Sequence, residues 1–166
     1  MRALTEAAIR RSMVNCSRSE AAELTPPRHL EELDWAMTDV LGWRDAKAPL
    51  RGYLVREQDG GPLGIALRAA DTRMSSRRSA MCLLCHTVQT ADAISLFTAR
   101  RIGGAGRNGN TVGTYICADL DCAHRVLAVP PSAQHLNEEL QALAVAERAA
   151  GLRLRLATFT ADVLRR

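Results

Sequence analysis

Leu4, Ala7, Ala8 and Val14, with Arg11 in register, recur at near-helical spacing and predict a short amphipathic helix over residues 3–14. Ser17 or Ser19 suits the cap of a brief second helix running to Leu24, with Glu20 in its first turn. Thr25-Pro26-Pro27 ends it, because proline lacks the amide donor and biases its predecessor away from α. From His29 to Leu41, Leu30, Leu33, Met37, Val40 and Leu41 share one face, predicting another helix that Gly42 terminates. The period then changes. Leu50, Gly52 and Leu54, then Leu63, Ile65 and Leu67, alternate about Asp59-Gly60, which predicts a β-hairpin.

Residues 70–79 are polar and basic, as an exposed loop would be. Short strands are expected over 93–97 and 111–116, joined by a glycine-rich hairpin or loop with Asn108-Gly109 as a type I′ turn. Val126 and Leu127 predict a brief helix broken by Pro130-Pro131. Ser132 would cap a long helix whose Leu136, Leu140 and Leu143 stripe packs in cis or pairs two chains. Leu152, Leu156, Phe159 and Val163 favour a continued helix, although 152–156 also alternates like a strand. With no internal repeat or low-complexity linker, the expectation is one α+β domain over 1–166. It has a helical part at 1–49, β-hairpins with a metal module at 50–129, and C-terminal helices at 132–166.

The 166 residues are 47% hydrophobic and 24% charged, with mean hydropathy −0.11, which is ordinary for a globular protein. No apolar run approaches the ~20 residues that span a bilayer, and the amphipathic start lacks a signal peptide's apolar core. A cytoplasmic location is therefore expected, where thiols stay reduced and paired cysteines favour metal over disulfides.

Cys82 and Cys85 form a C-x2-C pair, and Cys117 and Cys122 a C-x4-C pair. Two such pairs predict one structural zinc held by four thiolates; four buried free cysteines are the alternative. Cys117 would end a strand and Cys122 would open a helix whose dipole favours thiolate. A knuckle, a hairpin and a ligand-bearing helix together make a treble-clef zinc finger. His86, adjacent to Cys85, is directed elsewhere and is not counted as a ligand. Cys16 has no partner in sequence and is expected to be a small buried hydrophobe.

A site closed by four protein ligands leaves no position for substrate, and no nucleophile stands beside a base. Glu31, Glu32 and Asp34 would face different directions on a helix, so they form no acid/base pair. The chain therefore reads as a non-enzyme without a small-molecule substrate. Gly104-Ala105-Gly106-Arg107-Asn108-Gly109 matches the dinucleotide-binding glycine pattern, but a strand follows it where a helix is required. Trp35, Trp43 and Tyr53 could stack on bases; core packing is the expected use.

Net charge is +4 and unevenly spread. Between Thr72 and Ala118 the only acid is Asp92, against Arg73, Arg77, Arg78, Arg100, Arg101 and Arg107. Some of these would offset the dianionic zinc–thiolate cluster. The rest form a solvated face or attract an acidic protein surface or RNA phosphates.

Met81-Cys82-x2-Cys85-His86-Thr87, Ser95-Leu96-Phe97-Thr98-Ala99-Arg100-Arg101 and the run from Gly106 to Cys122 resemble the C-terminal treble-clef domain of elongation factor G-binding proteins of the fusidic-acid-resistance type. Leu41-Gly42-Trp43-Arg44-Asp45 and Arg51-Gly52-Tyr53-Leu54-Val55 are similar to the actinobacterial branch of that family. The resemblance covers residues 14–127. It implies zinc on Cys82, Cys85, Cys117 and Cys122, and binding to the C-terminal domains of elongation factor G, which frees the factor from drug-stalled ribosomes. The implied contact residues are Phe97, Arg100, Arg101 and Tyr115, with Arg107 in the same basic connector. The resistance proteins carry a separate N-terminal helical bundle, whereas a predicted hairpin precedes the first cysteine here. An RNA- or ribosome-binding zinc finger using the arginine-rich connector is the alternative.

Overall fold

A computed structural model describes residues 1–28 and 30–166. Its centre is a five-stranded antiparallel sheet. The strands are β1 (Val40–Arg44), β2 (Arg51–Gln58), β3 (Gly61–Ala69), β6 (Ile94–Arg100) and β7 (Thr111–Cys117), adjacent in that order. A small ribbon, β4 (Ser79–Met81) with β5 (Val88–Thr90), carries the first cysteine pair between its strands. The helices are α1 (Glu6–Ser12), α2 (Arg18–Glu23), α3 (Gly103–Arg107), α4 (Cys122–Leu127) and α5 (Glu138–Leu164). Among the described residues no helix is long and apolar enough to cross a membrane.

Alternation along the strands gives the sheet two cores. Ile9, Leu24, Leu41, Trp43, Tyr53 and Val55 fill the face under α1 and α2. Leu54, Ile65, Leu67, Phe97 and Ala99 fill the other, together with Leu152, Leu156, Phe159 and Val163 of α5 and the four paired cysteines. The hairpin forms as expected, with Asp59 (φ 48°) and Gly60 (φ 83°) both left-handed, the conformation that a two-residue I′ turn requires. Ser17 caps α2 and Glu20 reaches back to the Ser17 amide, a complete capping box.

β3 and β6 pair over only Arg68↔Thr98 and Ala69↔Phe97, then splay. The buried side chain of Asn15 bridges the gap. Its amide donates to the carbonyls of Ala66 (2.9 Å) and Arg100 (3.0 Å), and its oxygen accepts from the Ala66 amide (2.8 Å). Met13, bridged to Gly64, guides the chain alongside β3 to this point.

Three expectations give way. The helix predicted over 29–41 does not form; His29 lies outside the described residues, Leu30–Glu32 makes a single 3-10 turn, and Val40–Arg44 is an edge strand. Asp34 accepts from the amides of Ala36 and Met37, turning the chain, and β2 then recruits Val40 and Leu41 into the sheet. The connector after β6 is not a type I′ turn but the short α3, with Asn108 right-handed at φ −83°. Asn137, not Ser132, caps the long helix, and Pro131–Ala133 is a separate 3-10 turn. Of the two alternatives for the leucine stripe, Leu140 and Leu143 do not pack in cis; both are exposed. The helix does run unbroken through 152–156, with Leu152 and Leu156 in the core.

Candidate metal centre

The sulfurs of Cys82, Cys85, Cys117 and Cys122 lie within 4.8 Å of one another, and all four residues are buried. Cys82–Cys122 and Cys85–Cys117 are 3.7 and 3.6 Å apart. A disulfide bond is only about 2.05 Å long, whereas a tetrahedron of thiolates at about 2.3 Å from zinc spaces its sulfurs by about 3.8 Å. The donor set and spacing therefore fit one zinc ion.

Each pair is set by local backbone. The Cys82 sulfur accepts from the amides of Leu84 and Cys85, both at 3.4 Å, and the His86 amide closes the knuckle on the Cys82 carbonyl at 2.9 Å. His86 sits left-handed (φ 55°) with its ring exposed, out of the ligand set. Cys117 ends β7 and Cys122 opens α4, as the spacing implied. Between them Leu120 is left-handed (φ 64°), turning the chain so that the two sulfurs converge.

The polar shell supports anionic sulfur. Gln89 donates to the Cys117 sulfur at 3.1 Å. Hydrogen bonds from the Cys117 and Cys122 thiols pull Cys82 down to about 7 and hold Cys85 well below the ordinary thiol range. Cys122 is pushed up, first by Cys117, since packed thiols cannot all ionise without a cation between them. Arg125 of α4 pairs with Asp119; burial lowers its pKa, but Asp119 and Cys117 outweigh this and raise it. A guanidinium that interacts with the cluster thus comes from α4, outside the basic connector.

Two functional supports escaped the sequence reading. Arg155 donates to the Leu84 carbonyl, and Arg148 donates to Thr87 Oγ1 at 2.9 Å, so α5 grips the knuckle from outside. Their spacing gave no signal, because a charged pair on a helix ordinarily marks a solvated face.

The expected contact residues separate. Phe97 is fully buried in the core, with Arg44 stacked 5.2 Å from its ring, so it offers no surface. Arg101 is half-buried and donates to the Asp162 carbonyl of α5. Arg107 is exposed on α3. Arg100 and Tyr115 project on one side of the sheet, because Arg100↔Thr111 and Leu96↔Tyr115 are cross-strand pairs of like parity. They share this side with Arg51 and Arg68, beyond the part that α1 and α2 cover. Cys16 is half-buried beside them and is not the core hydrophobe expected. Trp43 and Tyr53 pack together at 4.9 Å in the core, as expected.

The family model of the FBP C-terminal treble-clef zinc-finger matches residues 8–163. This chain belongs to that family. The match takes in the hairpin and α5, so the segment before the first cysteine is part of the family domain and not a substitute for something else. The fold also shows a remote likeness to a solved structure, "Structure of the fusidic acid resistance protein FusC", with TM-score 0.45 and 18% identity over 76% of this chain. The treble-clef chain spans 52% of that protein's length. No curated protein matches the sequence.

Proposed function

We propose that this protein binds translation elongation factor G and modulates its release from the ribosome, the activity that the motif resemblance implies for fusidic acid resistance. Membership of the treble-clef family carries this reading, and an exposed apolar surface beside the metal supports it. Tyr115 is 46% exposed on the edge strand, and the Leu83 amide of the knuckle donates to its carbonyl at 2.9 Å. Met81, Leu83 and Val88 of the ribbon are exposed nearby in sequence and structure, Met81 and Val88 as a cross-strand pair. These aromatic and apolar groups at the metal end of β6–β7, with Arg100 and Arg107 exposed toward its other end, suit an acidic protein surface, with the charges steering encounter and the apolar groups supplying contact. Phe97 acts from beneath, as packing.

Calorimetric titration of zinc-loaded, nuclease-treated protein into elongation factor G from the same organism tests this. Saturable binding is expected, weakened at least about tenfold by Tyr115→Ala with Arg107→Glu, roughly one interface anchor's loss, while zinc content stays intact. No heat at any workable concentration overturns it. Binding instead to RNA, with a steep dependence on salt, would establish the alternative RNA- or ribosome-binding reading.

A further inference from the structure

A cavity of about 280 Å³ opens between the start of α2 and the uncovered part of the sheet, apart from the metal. Its charges come from three strands. Arg51 pairs across β2–β3 with Arg68, and Arg68 pairs across β3–β6 with Thr98, so two guanidinium groups and a hydroxyl issue side by side. Arg100 and its partner Thr111 add a third guanidinium and a second hydroxyl. Like charges directly opposite on neighbouring strands are destabilising. Glu20 is the one carboxylate among the described residues that line the cavity.

The internal pairings compensate this charge only in part. Arg51 reaches Glu23 at 3.8 Å and Arg100 reaches Glu20 at 3.5 Å, both well beyond the ~2.8 Å of a charge-assisted hydrogen bond. The Arg68 guanidinium has no partner among the described residues. Ala66 and the ring of Tyr53, on the same side of the sheet as Arg68, give the cavity an apolar wall.

We infer that this cavity binds a small molecule carrying a phosphate group. Three planar guanidinium forks arriving from β2, β3 and β6 suit a tetrahedral, multiply charged oxyanion, which can accept on several edges at once. A flat, singly charged carboxylate satisfies one fork. The apolar wall leaves room for the organic part of a phosphate monoester. Cys16, which also lines the cavity, is held as a neutral thiol by burial and by Glu20. It serves here as a reporter and takes no chemical part.

In zinc-loaded protein the other four cysteines would be ligands, which leaves Cys16 as the thiol open to labelling. The rate of its alkylation by monobromobimane would be followed in zinc-loaded protein with phenyl phosphate, benzoate, inorganic phosphate and ionic-strength-matched potassium chloride. Phenyl phosphate should slow labelling saturably, about tenfold when occupancy is near 90% by mass action. Benzoate and chloride should leave the rate unchanged. Arg68→Gln should raise the half-protecting phenyl phosphate concentration about tenfold, the equivalent of one lost fork at about 1.4 kcal/mol. If Arg68→Gln lowers the unliganded melting temperature, Arg68→Lys, which keeps charge but not the fork, is read in its place. Protection that chloride or benzoate reproduces, that does not saturate, or that both variants leave unaltered overturns the inference. Protection by inorganic phosphate equal to that by phenyl phosphate keeps the oxyanion site and removes the organic moiety.

Discussion

Asp45 follows β1 and holds the first core together from inside. Its buried carboxylate accepts from the amides of Thr25 (3.0 Å), Lys47 (2.8 Å) and Ala48 (3.2 Å) and from the Tyr53 hydroxyl (3.2 Å). Burial pushes its pKa up, but the hydrogen bonds, led by the Thr25 amide, outweigh burial and hold it below the usual carboxylate range. Tyr53 is pushed up to about 12, by burial and then by Asp45. Asp45→Ala strands several donors and should cost about 3 kcal/mol or more in a urea titration. The sign with pH follows from a depressed folded value. The carboxylate's contribution is full above its unfolded pKa of about 4 and is lost as pH falls through the lower folded value. The difference in stability between wild type and Asp45→Ala should therefore be constant near neutrality and shrink only in acid. A difference that persisted undiminished into strong acid would place the effect in packing.

At the scale of elements, legibility tracked how local the cause was. The β2–β3 hairpin was readable because strand alternation and the Asp59-Gly60 turn agree within one short window. α2 was readable for the same reason, since Ser17 and Glu20 are three residues apart. β1 was not: Leu30, Leu33, Met37, Val40 and Leu41 have helical spacing, yet Val40 and Leu41 gain more by pairing with Arg56 and Val55. Periodicity reports which residues want burial and leaves open which surface buries them. α5 shows the converse. Both halves carry an apolar stripe in the sequence, but only Leu152, Leu156, Phe159 and Val163 meet the sheet, while Leu140 and Leu143 extend past its covered area.

For the whole molecule, the metal and the second core are one body. Cys82, Cys85, Cys117 and Cys122 belong to the same buried cluster as Leu54, Ile65, Phe97 and the α5 residues. A structural zinc contributes on the order of 10 kcal/mol, comparable with a domain's entire stability of about 5–15 kcal/mol. Metal removal by a strong chelator, or Cys82→Ser, should thus abolish the cooperative melt of the sheet and α5 together, beyond the C-terminal half alone. An unchanged circular-dichroism melt of metal-free protein would refute this. The ligands were legible because two spaced pairs state the chemistry in the sequence. Arg148, Arg155 and the Arg51–Arg68 row were not, because each acquires meaning only from strands or loops distant in sequence. Phe97 was misplaced for a related reason: a motif residue beside arginines shows nothing of which sheet face it occupies until register is known.

The Asn15 bridge bears on time. It ties residue 15 to partners 51 and 85 positions away, Ala66 and Arg100, and it can form only after β3 and β6 are already set at their splayed angle. Loops of that length close late, once nearer pairings have reduced the entropy still to be lost. Asn15 should therefore be absent from the folding nucleus. In stopped-flow chevrons Asn15→Ala should accelerate unfolding by roughly tenfold or more and leave the refolding arm almost where it was, the behaviour of a low-φ position. The residue would then determine how long the native state persists without determining how quickly it is reached.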